Sequence, residues 1–401
     1  MPDPKSPLRR LPRNVWVVTA TSFLTDISSE MVFNLLPLFL ANVLGVRTAV
    51  IGLIDGLAET TASLMKLYSG WLSDKLGQRK WLTVAGYSIS ALAKPFLYFA
   101  TAWGWVLGVR FADRLGKGIR TAPRDALVAE SIGADQRGMA FGVHRAGDTA
   151  GAFTGLLIAA LVIWTMQSAS VELTRSAFQT VVLVSIVPAV LAVLVLAFGA
   201  KEVISRKPAE GPGLKMAGMD RRFKLFLLVV VLFTLGNSSD AFIILRGQER
   251  GLSVLQVMGM LLTFNLVYTL FAGPLGAWSD KIGRRKLIIF GWLAYGIIYL
   301  GFALSRTGLE VWTMYGLYGL YYAATEGTAK ALVADLVPAE KRGTAYGLYN
   351  AAVGLTALPA SVIAGLLWQG LGSWTGFGAS APFYFGAGLA LLAGLLFWRL
   401  V

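Results

Sequence analysis

Several charged side chains stand inside long apolar segments of this sequence. An ionised group at the centre of a lipid bilayer costs about 2.5–3.5 kcal/mol on insertion scales, so charges kept there face a cavity or a partner. Burial raises the pKa of a carboxyl group and a nearby arginine lowers it, so breaking such a pair moves a proton. This chemistry predicts a proton-coupling network in the first half of the chain. Its candidate residues are Asp26, Glu30, Asp55, Glu59, Arg110, Arg114 and Asp148.

The spacing of these residues places them on shared helix faces. Asp26 and Glu30 are four residues apart, as are Asp55 and Glu59, so each pair lies on one side of a helix. A basic stripe is formed by Arg110, Arg114, Lys117 and Arg124. We expect Glu30 to exchange the coupling proton, with Asp26 or Glu59 as the next candidates. The alternative, that these charges only neutralise each other and hold the helices together, stays open.

The second half of the chain has fewer charges in its apolar segments and more aromatic and amide side chains. Packing and interface belts account for many of them, but such residues also suit the wall of an amphipathic pocket. We hypothesise that the first half handles protons and the second half shapes the ligand site. The residues predicted to line a substrate cavity are Asn237, Asp240, Tyr318, Glu326 and Asn350.

Long apolar segments must position these side chains. Hydrophobic residues make up 56% of the 401 residues, charged residues only 14%, and the mean hydropathy is +0.63. A soluble domain carries about 25% charged residues, and about 20 apolar residues span a bilayer core. We therefore predict an all-α membrane protein with twelve transmembrane helices. Their predicted ranges are 14–44, 49–73, 79–101, 103–132, 138–165, 176–199, 222–245, 252–279, 285–305, 309–336, 343–370 and 379–400.

The distribution of basic residues predicts the orientation of these helices. The net charge of +14 falls mostly in short connections that follow even-numbered helices. By the positive-inside rule, this places both termini in the cytoplasm, and it explains the charge without nucleic acid. The predicted division is a cytoplasmic tail over 1–13, a six-helix bundle over 14–200, a cytoplasmic linker over 201–221 and a second six-helix bundle over 222–401.

The two predicted bundles repeat each other in sequence. Ser28-Ser-Glu30 returns as Ser238-Ser-Asp240, and Ala126-Leu-Val-Ala-Glu130 returns as Ala331-Leu-Val-Ala-Asp335. The matches keep one order at nearly one offset, which predicts a duplication. Two pseudo-symmetric halves with a site between them near the bilayer midplane are typical of secondary transporters.

Two charged connections, residues 70–80 and 276–286, carry the same pattern 206 residues apart. Each sets one acid and several bases between apolar segments, which is typical of a tight hairpin between membrane helices. The pattern resembles the cytoplasmic signature of the major facilitator superfamily, G-x-L-S/D-D-R/K-x-G-R-R/K, although Gln78 replaces its usual arginine. The resemblance implies a gating role for Gly70, Asp74, Gly77, Arg79, Gly276, Asp280, Gly283 and Arg285.

Two further stretches resemble patterns of drug/proton antiporters in bacterial members of that superfamily. Residues 114–122 are similar to R-x-x-x-G-x-G-A-A, whose arginine, here Arg114, is linked to proton coupling; Arg120 stands where the second glycine is usual. Residues 147–155 are similar to the antiporter signature G-x-x-x-G-P-x-x-G, with Ala152 in place of the proline. Close helix packing through small residues is the favoured explanation of these glycines.

These features predict a secondary transporter of the inner (cytoplasmic) membrane that exports a small organic or amphipathic compound in exchange for protons by alternating access. A proton-linked carrier of an organic or phosphate-type anion is the alternative. A membrane receptor or sensor is less favoured, since no output domain is apparent, and enzyme motifs were not found. One histidine and no cysteine give few metal ligands. We expect no cofactor, no metal, no nucleic acid, and a monomer whose partners are substrate, protons and lipid.

Overall fold

The computed structural model describes residues 11–133, 136–167, 169–203, 216, 218–338 and 341–400, without the side chains of 277, 279 and 280. All regular structure in these residues is helical. The helices of the first half are α1 (Arg13–Phe33), α2 (Leu36–Leu38), α3 (Thr48–Leu76), α4 (Lys80–Ala93), α5 (Trp103–Glu130), α6 (Arg137–Gln167) and α7 (Arg175–Gly199). The helices of the second half are α8 (Arg221–Gly236), α9 (Ala241–Glu249), α10 (Val254–Ile282), α11 (Arg284–Leu304), α12 (Gly308–Asp335), α13 (Arg342–Gln369) and α14 (Ala381–Leu400).

Each of the twelve predicted ranges contains helix, and some are broken in ways that the sequence pattern does not indicate. A π-helical turn, Phe39–Val43, extends α2, and a 3₁₀ turn, Lys94–Phe99, extends α4. Within the described residues, eight spans are long and apolar enough to cross a membrane. The long helices α3, α5 and α12 are not among them: α3 and α5 carry many of the charges discussed above, whereas α12 is rich in tyrosine and glycine. Most of the predicted linker 201–221 and of the tail 1–13 lies outside the described residues.

The outer surface is apolar where a bilayer would contact it. Along α7, side chains spaced three or four residues apart are exposed rather than buried. They are Leu183, Val187, Leu191, Leu194 and Phe198. A continuous apolar stripe of this kind is unfavourable in water and is expected of a lipid-facing helix.

Glycines bring α1 and α6 into close contact. A Cβ atom at Gly151 would meet the backbone carbonyl of Phe23, and one at Gly155 would lie 2.5 Å from the carbonyl oxygen of Ile27. Such distances exclude any larger residue without movement of the helix backbone. The glycines that resemble the antiporter signature therefore serve close packing, in agreement with the favoured interpretation.

The two halves meet along α3 and α13. Thr48 Oγ1 donates to the carbonyl of Gly365 (3.0 Å), and Thr60 Oγ1 donates to the carbonyl of Gly354 (2.6 Å). Between them, a Cβ atom at Gly56 would lie 2.7 Å from Cα of Leu358. The contact thus runs along the part of α3 remote from residues 70–80. We call the end of the bundle that holds residues 70–80 and 276–286 the hairpin end.

Candidate functional site

A cavity of about 380 Å³ lies between the two halves. Its first wall is built by α1, α3 and α5, and its second mainly by the junction of α8 with α9 and by α13. Eight predicted site residues line it: Asp26, Glu30, Asp55, Glu59, Arg110, Arg114, Asn237 and Asp240. Asp113, Lys117 and Arg120 of α5 also face it, so charge dominates the first wall. The sequence analysis placed these eight residues on four separate helices, and the fold brings them to one space.

Asp55 forms an ion pair with Arg110 of its own half and also accepts a hydrogen bond from the other half. Arg110 Nη2 lies 3.1 Å from Asp55 Oδ1, and Ser239 Oγ donates to Asp55 Oδ2 at 2.9 Å. Arg110 is only 6% exposed, and its Nε and Nη1 groups have no hydrogen-bond partner within the described residues. Asp55 therefore joins α5 of the first half to the α8–α9 junction of the second. Ser239 was not predicted as a site residue, although it lies within the repeated Ser238-Ser-Asp240 motif.

Arg114 forms the second ion pair of this wall. Its Nη1 lies 3.3 Å from Glu59 Oε1, and its Nε lies 3.6 Å from Asp113 Oδ2. The guanidinium groups of Arg114 and Arg110 both lie over the ring of Phe33, at 5.5 and 4.3 Å from its centroid. A cation over an aromatic face is favourable, and more so where water is excluded. Phe33 thus contacts both of two like charges that stand one turn apart on α5.

The acids of α1 are held differently. Glu30 Oε2 accepts a hydrogen bond from Asn34 Nδ2 at 2.7 Å, where α1 ends. Neither Glu30 nor Asp26 belongs to an ion pair among the described residues. Both face the cavity and lie one helical turn apart. Either can therefore change protonation state without leaving an arginine unpaired.

The opposite wall is a helix break backed by tyrosines. Residues 237–240 separate α8 from α9 and face the cavity. Tyr318 is buried behind them, and its hydroxyl donates weakly, at 3.4 Å, to Asn237 Oδ1 and Asp240 Oδ1. Tyr295 donates to Asn237 Oδ1 at 3.2 Å. Tyr318 therefore supports the cavity wall rather than lining it.

Two residues predicted for the substrate cavity lie elsewhere. Glu326 accepts a hydrogen bond from Tyr268 (2.7 Å) and pairs with Arg145 of the first half (3.5 Å), so it forms part of a contact between α6 and the second half. Asn350 is exposed and is not among the residues that line the cavity. Their helices pass the cavity, but a sequence pattern does not reveal which way each helix is rotated.

Asp148 is the remaining member of the predicted network, and it lies beside the cavity in a second polar cluster. Its Oδ2 is 3.5 Å from Nδ1 of His144, whose Nε2 is 3.0 Å from Ser22 Oγ. Ser22 also bonds to the hydroxyl of Tyr87 at 3.0 Å. Ser22 and Tyr87 were not predicted as site residues, because only the fold brings them together.

Comparison with known proteins places the chain in a family. The sequence profile of the Major Facilitator Superfamily matches residues 18–261 and 225–401. The chain belongs to this superfamily. An uncharacterised transporter of the superfamily from Methanocaldococcus jannaschii is 36% identical over 399 residues, covering 97% of this chain and 95% of that protein. A multidrug resistance efflux pump of Streptococcus pneumoniae is 24% identical, with 81% and 82% of the two chains covered.

Solved structures of the superfamily share the fold. A nucleoside transporter superposes with a TM-score of 0.79 at 13% identity, covering 96% of this chain and 99% of that one. A bacterial homologue of the lysosomal transporter Spinster gives a TM-score of 0.78 at 15% identity, with 96% of each chain covered. At such identities the likeness shows the fold alone. Membership of the superfamily indicates a multi-pass membrane transporter rather than an enzyme.

The first hairpin of this superfamily member is held by Arg79. Its guanidinium lies 2.7 Å from Asp74 Oδ1 and 2.9 Å from Glu130 Oε1, and it donates to Ser73 Oγ. Burial lowers the pKa of Arg79, but hydrogen bonds to Glu130 and Asp74 raise it, and the net shift is upward. Gly77 ends α3 with φ of +64°, a conformation that favours glycine. Gly70 packs 3.3 Å from the Cβ atom of Ala122, measured from its ideal Cβ position.

The second hairpin uses its arginines differently. Arg284, which aligns with Gln78, pairs with Asp335 at 2.6 Å. Arg285 is exposed and donates to the carbonyl of Trp398. Gly283 has φ of +94°, and Gly276 lies within α10. The side chain of Asp280 lies outside the described residues.

Proposed function

We propose that this protein is a secondary active transporter that exports a small organic compound in exchange for protons by alternating access. The observation that carries the proposal is the pair Asp26 and Glu30, which face the cavity outside any ion pair of the described residues. Two arginine–carboxylate pairs stand beside them on the same wall. A substrate that enters can displace these partners, and a carboxylate that loses its partner takes up a proton.

The names of some relatives favour export over uptake. Besides the efflux pump of Streptococcus pneumoniae, a class E tetracycline resistance protein of Escherichia coli is 30% identical over 186 residues, 44% of each chain. The polar lining of the cavity favours a substrate with charged or hydrogen-bonding groups over a purely apolar one. Neither argument names the compound.

The arrangement of the halves supports alternating access. Their contact along α3 and α13 lies away from the hairpin end, and opening it would require the hairpin end to close. In our proposal, twelve helices cross the inner membrane, both termini are cytoplasmic, and the bundles 14–200 and 222–401 move about a central site. The basic connections at the hairpin end support this orientation.

The test is transport by purified protein in liposomes that contain a pH-sensitive dye. Cationic, neutral and anionic compounds are screened for proton movement driven by the compound, in the parent and in Glu30→Gln. Glu172→Gln is the matched control, because Glu172 is exposed in the loop between α6 and α7. We expect one compound class to drive protons in the parent and control but not in Glu30→Gln. Compound flux without proton movement would refute the coupling.

A proton-linked carrier of organic or phosphate-type anions remains the second candidate. A specific observation favours it: Arg110, Arg114, Lys117 and Arg120 of α5 all line the cavity. Competition by phosphate and by carboxylates, weakened by added salt, would distinguish this function from export of a cation or a neutral compound. Screening of charge by salt makes the salt dependence diagnostic.

A further inference from the structure

The second polar cluster consists of Asp148, His144, Ser22 and Tyr87. It lies nearer the hairpin end than the cavity carboxylates do. At the start of α1, Asn14 bonds to the backbone of Lys201, and the next residue, Glu202, accepts hydrogen bonds from the amides of Arg79 and Lys80. Ser22 lies eight residues along α1 from Asn14, or about 12 Å at 1.5 Å per residue. Asp26 follows one turn later and faces the cavity. The cluster therefore occupies the level between the hairpin end and the cavity.

His144 connects the two sides of this cluster. Ser22 and His144 are 2% and 5% exposed. The imidazole lies between the Ser22 hydroxyl, 3.0 Å from Nε2, and the Asp148 carboxylate, 3.5 Å from Nδ1. The second carboxylate oxygen of Asp148 is buried and has no hydrogen-bond partner in the described part of the chain. Imidazole is the side chain that can accept a proton on one nitrogen and release another from the opposite nitrogen near neutral pH.

We propose that His144 is a proton relay between the hairpin end and the cavity carboxylates, an inference that rests on the proposed proton coupling. Asp148, once it has taken up a proton from the cavity carboxylates, gives that proton to Nδ1 of His144. Nε2 then releases its proton to the Ser22 hydroxyl, while that hydroxyl gives its own proton to a water molecule at the hairpin end, which leaves as a hydronium ion. The imidazole is neutral before and after and changes only its tautomer. The proton reaches Asp148 from Asp26, which lies one turn along α1 from Ser22 and faces the cavity.

The charged groups around the imidazole of His144 favour a ring that holds an extra proton only transiently. Arg124 of α5 approaches Ser22 Oγ at 3.4 Å and forms an ion pair with Asp125 at 2.8 Å. On α6, Arg145 turns to Tyr268 and Glu326 of the second half. From α4, the Tyr87 hydroxyl contacts Ser22. Arg124 and Arg145 thus have acidic partners of their own, and a proton on the imidazole can pass to the Ser22 hydroxyl on one side of the ring or return to Asp148 on the other.

A histidine that only packs would behave differently. It would keep one tautomer, and a residue with similar hydrogen bonds could replace it. The chain contains a single histidine, so selective ¹⁵N-histidine labelling reports on His144 alone and requires no substrate. The relay predicts exchange between tautomers in the parent protein and a single tautomer in Asp148→Asn. A single tautomer in the parent, with a ring N–H that persists for minutes in deuterated water at neutral pH, would overturn the relay.

Transport supplies the second test, with whichever compound drives protons in the liposome screen. His144→Asn keeps hydrogen-bonding groups but cannot relay protons. Removal of a positioned acid–base group typically costs about 10²–10⁴-fold, so we expect compound-driven proton flux to fall at least about tenfold. Compound exchange at equal pH on both sides should change less than about twofold, because it requires no net proton transfer. Proton flux equal to that of the parent would overturn the relay.

Ser22→Ala and Ser22→Thr make the test independent of whether His144→Asn folds. Ser22→Ala removes the hydroxyl and should reduce proton flux, whereas Ser22→Thr retains it and should preserve flux. Equal flux in the two variants would contradict the relay. If no compound drives protons in the parent, the proposed function fails, and the tautomer measurement still decides whether His144 exchanges protons along this path.

Discussion

The helices α5 and α12 occupy equivalent positions in the two halves but carry opposite chemistry. Both have 28 residues, and their boundaries differ by the same 205 residues that separate the repeated sequences. Where α5 has charged side chains at the cavity wall, α12 has tyrosines. The paired positions are Arg110 with Tyr315, Asp113 with Tyr318 and Lys117 with Tyr322.

The difference shows how one duplicated backbone provides two kinds of wall. In the first half, ion pairs such as Arg110–Asp55 cross between helices, and their strength depends on protonation. In the second half, the tyrosine rings stack on one another, with Tyr318 centred 5.8 Å from Tyr315 and 5.5 Å from Tyr321. The stacking of these rings does not depend on pH near neutrality. One wall can therefore respond to protons while the other keeps its shape.

The largest effect should come from removing a buried charge of the first wall. Arg110→Met leaves Asp55 buried without its base, and breaking a buried pair in this way costs about 3–5 kcal/mol. The equivalent change in the second half, Tyr315→Phe, removes only a hydroxyl and should cost less than about 1.5 kcal/mol. Thermal unfolding of both variants in detergent measures the contrast. Equal losses would contradict the asymmetry between the halves.

A double variant separates stability from transport. Arg110→Met/Asp55→Leu removes both charges, and such replacements are often neutral or stabilising. We expect the unfolding temperature to recover while compound-driven proton flux stays low. Recovery of flux would mean that this ion pair only holds the helices together, the alternative left open by the sequence.

The two hairpins, residues 70–80 and 276–286, allow a second comparison between the halves, with a smaller expected effect than the loss of a buried ion pair. Arg79 is 2% exposed and bonds to Asp74, Glu130 and Ser73, whereas Arg285 is exposed. A hydrogen bond to a charged group contributes about 1.5–3 kcal/mol, so Arg79→Gln should slow transport by about tenfold or more. Arg285→Gln should change it much less. Initial rates in liposomes, at matched protein content, measure both.

Asp74→Asn tests the same hairpin from its acidic side. We expect reduced transport with an unchanged unfolding temperature, because Asp74 is half exposed and Glu130 still pairs with Arg79. Normal flux in monodisperse Asp74→Asn protein would show that this contact does not affect the conformational cycle.

The sequence predicted the helices and the charged wall well, for physical reasons. Apolar spans must match the bilayer, and a charge inside such a span is rare enough to mark the site. Helix breaks at Asn34 and at residues 237–240 were not predicted, although Pro37 follows the first break by three residues; the second break is held by the contact of Ser239 with Asp55 across the cavity. Ser22, Ser239 and Tyr87 were not predicted as site residues either, since their chemistry depends on neighbours from distant parts of the chain. Glu326 and Asn350 lie outside the cavity that they were predicted to line. Packing decides how each helix is rotated about its own axis, and the sequence pattern does not reveal that rotation.

In the second half, the smallest effects should come from changes that keep its buried rings. Tyr318→Ala removes a buried ring that supports Asn237 and Asp240, and the loss of a buried aromatic side chain costs about 3–5 kcal/mol, so the substrate profile should change. Tyr318→Phe keeps the ring and loses only hydrogen bonds of 3.4 Å, so it should behave almost like the parent. Asn350→Ala alters an exposed side chain away from the cavity and should leave transport unchanged. A substrate profile altered by Asn350→Ala but not by Tyr318→Ala would show that the second half binds the compound on a different helix face, and the tyrosine wall would then be packing only.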